Sequence, residues 1–190
     1  GIIFTPHVNG EKGCHPLSNR ITSELGINVQ FYSGSVPKLN KQAIMSSAEF
    51  DTYKRDVQNG FKKNEFTLLT ATKAFGMGVN KGNIFYTIHY GLPSSMESLY
   101  QEAGRAGRDK EQFISAQAEC LVLLTPEINE NILTSLWEPE ASLEEIKKIS
   151  SKTLRNGDIN TNLFMFTNSL DSVNDEYKLI KKLYDLYYNE

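Results

Sequence analysis

The chain has 190 residues, 39% hydrophobic and 23% charged, with a formal net charge of −3. That length allows one well-formed core plus a small appendage, and the composition is that of an ordinary globular protein. No apolar run approaches membrane-spanning length, no signal-peptide pattern opens the chain, and Cys14 and Cys120 stand far apart; a membrane partner, a disulfide framework and a four-cysteine zinc site are excluded within these residues, and a cytoplasmic setting is the default expectation.

Gly1-Ile2-Ile3-Phe4-Thr5-Pro6 reads as a strand. Natural amino termini rarely open on a buried strand, so a piece of a longer protein is expected. His7 to Pro16 is polar and reads as a loop; the spacing of His7, Cys14 and His15 fits no common zinc pattern. Leu17 to Leu25 reads as a helix stopped by Gly26. Ile27 to Tyr32 alternates as a strand does, with Ser33-Gly34-Ser35 as its exit loop. Residues 36–52 are less regular. Thr52 to Phe61 reads as a helix with Val57 and Phe61 on one face; Lys54, Arg55, Lys62 and Lys63 form either a solvated face or phosphate contacts.

From Glu65 to Asp109 the chain carries its densest pattern. The apolar run Phe66–Leu69 predicts a strand. Thr70 and Thr72 then offer hydroxyls and backbone donors at the strand's carboxyl end, where open α/β sheets bind ligands. Gly76 and Gly78 would let the backbone approach a ligand closely. Ile84 to Tyr90 predicts a second strand, closed by Gly91-Leu92-Pro93; His89 at its end reads as structural. A helix is expected from Ser94 or Ser95, with Gln101, Arg105 and Arg108 three and four residues apart on one face, and Leu99, Ala103 and Ala106 on the other. Guanidinium forks suit phosphate oxygens. A solvated basic edge is the plainer alternative, but Gly104 and Gly107 would each cost such a helix about 1 kcal/mol relative to alanine. Alternating strands, loops and helices of this kind predict a parallel α/β sheet flanked by helices.

Glu119 to Leu124 reads as one more strand, closed by Thr125-Pro126. The composition then shifts. Residues 1–126 hold 13 Lys+Arg against 11 Asp+Glu, net +2; residues 127–190 hold 7 against 12, net −5. Neither part is a strong nucleic-acid surface by bulk charge, so any such contact is a local patch. Residues 127–190 are expected to be a small helical extension: Ser142-Leu143-Glu144-Glu145 is a capping box, and Ser172 to Tyr188 carries an apolar stripe at helical spacing.

QEAGRAGRD (residues 101–109) resembles motif VI of superfamily 2 helicases, Q-x-x-G-R-x-G-R, and ATKAFGMGVNK (residues 71–81) resembles motif V. With HYGLP and ESLYQ between them, the pattern is similar to that of RecQ-family DNA helicases. The resemblance covers roughly residues 1 to 125 and is most specific from 66 to 109. It implies a RecA-like fold for residues 1–126, the second motor lobe of such an enzyme. ATP and Mg2+ would be held mainly by a first RecA-like lobe of the same protein, because these 190 residues contain no G-x-x-x-x-G-K-[ST] loop and no acidic D-E-x-H box. This lobe alone should then not hydrolyse ATP. The resemblance makes Arg108 the first choice for an arginine finger, with Arg105 on the phosphates and Gln101 positioning water or sensing the γ-phosphate. Asn80 takes the position that touches the nucleotide ribose. Thr72, Gly78 and Asn80 would link nucleotide to DNA. Ser33, Gly34 and Lys54 fall where family members approach the nucleic-acid backbone, a single-stranded or forked DNA read 3′ to 5′, and His89 lies near the interlobe face. The stretch from Gln42 to Phe50 looks like an insertion. RecQ proteins often continue into a zinc-binding helical region, and residues 127–190 contain no cysteine. A duplex translocase, an RNA helicase and a non-enzymatic interaction module remain alternatives.

Overall fold

In the computed structural model, β1 (Ile2–Phe4) is the middle strand of a parallel sheet. The structure describes residues 1–76, 81–91, 93, 95–114, 116–124, 144 and 178–182. The sheet they form is ordered β2 (Val29–Tyr32), β5 (Leu68–Ala71), β1, β6 (Tyr86–Tyr90), β7 (Glu119–Leu123), each neighbouring pair parallel. Parallel neighbours need long crossovers. These carry α1 (Cys14–Leu25), α2 (Ser47–Lys62) and α3 (Met96–Ala103). All four residues of β5 are buried, as a strand covered on both faces must be.

Two cores result. Ile2, Phe4, Leu69 and Ala71 from the sheet pack with Val57 and Phe61 of α2 and with Phe75 and Ile84. Ile3, Val29 and Leu68 pack with Leu17 of α1. The alternation along β1 sends Ile2 and Phe4 to one face and Ile3 to the other.

Several boundaries differ from expectation for local reasons. α1 begins at Cys14, three residues before Leu17, because Pro16 falls in the first turn, where no backbone N–H is needed. It ends as expected at Gly26, whose φ of 67° is left-handed. α2 begins at Ser47, not Thr52. Ser46 caps it in a capping box with Glu49, so the Ser46-x-x-Glu49 spacing was the missed signal. The apparent insertion, Gln42 to Phe50, opens on β4 (Gln42–Ala43), which pairs in a small hairpin with β3 (Lys38–Leu39), turned through Asn40 and Lys41 at φ 50° and 68°.

The chain divides into two compact units, Gly1–Leu124 and Thr125–Glu190. In the second, Glu144 and residues 178–182 are helical; the rest of the helices expected there lies outside the described residues. No helix among the described residues is long and apolar enough to cross a membrane.

Candidate functional site

The arginines sit on a turn, not on a helix. Ser95 caps α3 by accepting a hydrogen bond from the Ser98 backbone N–H at 3.1 Å, and the helix ends at Ala103 with Gly104 as its cap. Backbone bonds from Arg105 to Glu102 and from Ala106 to Ala103 tighten the exit. Gly107 then takes a φ of 72°, a conformation that favours glycine, and its N–H donates to the Ile84 carbonyl at 3.0 Å. A Cβ there would stand 3.0 Å from that of Ala118. The expectation of one helix carrying Gln101, Arg105 and Arg108 in register is therefore corrected: the two glycines end the helix. Their helix penalty is the physical reason, and the turn is anchored where Ala106 packs against the first core.

The three side chains consequently differ in setting. Gln101 is exposed and donates to Glu97 at 2.9 Å. Arg105 is buried, 8% exposed. Arg108 is exposed, and its Nε donates to the Gly104 carbonyl at 2.8 Å, which orients the fork with one of its five N–H donors. Burial lowers the pKa of the Arg105 guanidinium, Arg108 lowers it further, and Glu102 opposes both. Arg105 stays protonated at neutral pH even so. Two neighbouring cations, one of them desolvated, favour an anion between them.

α3 is held to the sheet by its own carboxylate. Glu102, 8% exposed, is hydrogen-bonded to Nδ1 of His89 at 3.1 Å; His89 is 1% exposed and stacks on Phe4, ring centroids 5.4 Å apart. α3 also packs on the single 3-10 turn Lys73–Gly76 that follows β5. α3 is thus brought against the turn that follows β5, while the arginine turn beyond it is tied to Ile84, just ahead of β6.

At the end of β5, Thr72 is a backbone anchor. Its N–H donates to the Tyr32 carbonyl at 3.1 Å, and its carbonyl accepts from Phe75 at 3.0 Å. Thr70 does not fit the expected nucleic-acid role. It is fully buried, with its hydroxyl donating to the Cys14 carbonyl at 2.8 Å, because the strand alternation turns it toward α1. Ser33 is also fully buried, its hydroxyl donating to the Ser35 carbonyl at 2.8 Å, which leaves Gly34 and Ser35 as the exposed part of that loop. Gly34 lies against Ala74, where a Cβ would approach to 3.1 Å. Lys54 pairs with Asp51 at 2.8 Å and lies over the Phe50 ring. A solvent-screened surface pair of that kind is weak, so it does not lock the lysine away from a phosphate. Gly76 closes the 3-10 turn; Gly78 and Asn80 lie outside the described residues.

Residues 1–110 match the model of the helicase conserved C-terminal domain. The chain belongs to that family. Its relatives in sequence are RecQ-type helicases. It is 40% identical over 135 residues to the bifunctional 3′-5′ exonuclease/ATP-dependent helicase WRN of Mus musculus, covering 69% of this chain and 8% of that protein. It is 35% identical over 102 residues to the ATP-dependent DNA helicase RecQ of Bacillus subtilis (strain 168), covering 52% and 16%. To the probable ATP-dependent DNA helicase RecS of the same organism it is 29% identical over 156 residues, covering 80% and 27%. The chain therefore spans about a quarter or less of each of these relatives.

Within this RecQ-like helicase C-terminal lobe, the sequence reading overlooked Glu102. The signal was its place three residues after Leu99, on the face of α3 that turns inward. Cys14 is buried, and its thiol is pushed up to about 11 by that burial, which keeps it protonated and a poor metal ligand at neutral pH. Among the described residues no group of three or more His, Cys, Asp or Glu is arranged to hold a metal ion.

Proposed function

We propose that residues 1–126 are the second RecA-like motor lobe of an ATP-dependent DNA helicase, RecQ-like and moving 3′ to 5′, and that residues 127–190 are a helical extension of it. The observation that carries this is the Gly104–Arg108 turn, which pins one buried and one exposed arginine to the sheet through Gly107. A first RecA-like lobe holds ATP with its Mg2+, since the phosphate-loop sequence is absent from these 190 residues. ATP supplies the γ-phosphoryl group whose transfer to water drives the motor. Arg108 is the arginine finger: exposed and already oriented by Gly104, it meets charge developing on the γ-phosphate. Arg105 holds the phosphates. Gln101 positions the attacking water, and releasing it from Glu97 costs only about 1 kcal/mol net. Thr72, Gly76, Gly78 and Asn80 connect the nucleotide to the DNA strand, which the Gly34 backbone and Lys54 touch at its phosphates. Single-stranded or forked DNA is the track.

Duplexes with a 3′ or a 5′ single-stranded tail test this reading in the intact protein, first lobe included. Strand separation is expected from the 3′ tail alone. Movement along duplex with no separation from either tail would contradict it in favour of a translocase. Residues 1–190 by themselves are expected to release no phosphate from ATP.

A further inference from the structure

The Q-x-x-G-R-x-G-R pattern specifies neither Glu102 nor His89, yet they form a buried acid–base pair. Burying a carboxylate costs several kcal/mol unless it is paired. An ionised carboxylate can only accept, so Nδ1 of His89 carries the proton and donates. The other ring nitrogen, Nε2, meets no hydrogen-bond partner among the described residues, which leaves Glu102 as the ring's single polar tether there. His89 itself is fixed. It lies in β6, opposite Phe4 of β1 and Val122 of β7, and its ring stacks on Phe4.

Glu102 is two residues before the helix cap, and its backbone carbonyl accepts from the Arg105 N–H at 3.3 Å. One residue thus reaches the sheet with its side chain and the arginine turn with its main chain. Gly107 ties the far end of the turn to Ile84. The His89–Glu102 contact holds the near end of the turn, and Ala106 packs on the core between it and Gly107.

We propose that His89 and Glu102 are positioning residues that hold the Arg105–Arg108 turn at the height above the sheet needed for ATP hydrolysis. This rests on the reading that these arginines act on ATP. Neither residue touches the nucleotide; each acts through the turn. A misplacement of the arginines by about 1 Å can cost on the order of 10²-fold in rate.

The test is DNA-stimulated ATP hydrolysis by the intact motor, this lobe with its phosphate-loop lobe, measured as kcat and KM beside thermal unfolding. Glu102→Ala and His89→Ala are each expected to lower kcat by about 10²-fold with KM for ATP nearly unchanged, and the double variant to be little worse than either single one. Glu102→Gln keeps an acceptor and His89→Asn keeps a donor near Nδ1; both are expected to recover most of the rate. If an alanine variant fails to fold, Glu102→Gln and Glu102→Met decide, being similar in volume with only the first able to accept. A clearly faster Gln variant supports the proposal, and equal rates overturn it. Wild-type kcat in both alanine variants, with activity lost in Arg108→Ala, overturns the positioning role alone. Wild-type kcat in Arg108→Ala overturns the reading beneath it.

Discussion

Arg108→Ala in the intact motor is expected to lower DNA-stimulated ATP hydrolysis by about 10³- to 10⁵-fold, the range an arginine finger supplies. The size follows from where the charge sits. A guanidinium aimed at developing negative charge in a water-excluded cleft acts in a low dielectric and is already oriented, so its loss falls on the transition state. Arg108 is exposed, and its one hydrogen bond among the described residues is to the Gly104 carbonyl. Its truncation should therefore leave the unfolding midpoint of this lobe almost unchanged, because surface substitutions away from special features stay within about 0.5 kcal/mol. Lys at this position keeps the charge and loses the planar fork, so Arg108→Lys should remain strongly impaired. Hydrolysis near the wild-type rate in Arg108→Ala would place the finger elsewhere.

Phe61→Ala is expected to destabilise the lobe by about 3–5 kcal/mol in denaturant unfolding, a large share of the 5–15 kcal/mol typical of a domain. Phe61 is fully buried at the carboxyl end of α2. Its ring packs on Phe66 at 5.6 Å and on Phe75 at 5.8 Å, and the Lys81 ammonium lies 5.0 Å above it. A cavity there would unseat α2 and loosen Phe75, which belongs to the 3-10 turn against which α3 packs. The variant thus couples the core to the arginine turn. A loss below about 1 kcal/mol would mean that α2 is not seated as described.

The strands were legible because their periodicity is local. Ile2–Phe4, Val29–Tyr32, Leu68–Ala71, Tyr86–Tyr90 and Glu119–Leu123 all fall within or beside the apolar runs that announce them. α2 was half legible: the apolar spacing of Val57 and Phe61 marked its end, while its start was written in the Ser46–Glu49 capping box. The arginine segment was misread as geometry. Spacing of three and four residues suits a helical face, but it says nothing of whether the helix continues, and Gly107 needs a left-handed φ that only the folded turn reveals. Thr70 and Ser33 show the reverse limit. Their position at strand ends suggested ligand contacts, whereas their burial depends on α1 and on the loop after β2. The His89–Glu102 pair joins residues thirteen apart across a strand-to-helix connection, and no local pattern encodes it.

Phosphate release from ATP by the intact protein, followed as single-stranded DNA is titrated in beside single-stranded RNA, most directly tests whether this lobe belongs to a DNA-driven motor. The rate is expected to rise with DNA to a plateau and to respond far less to RNA. No hydrolysis with either nucleic acid, or the same rate with and without them, would contradict a motor role and leave an interaction module in its place.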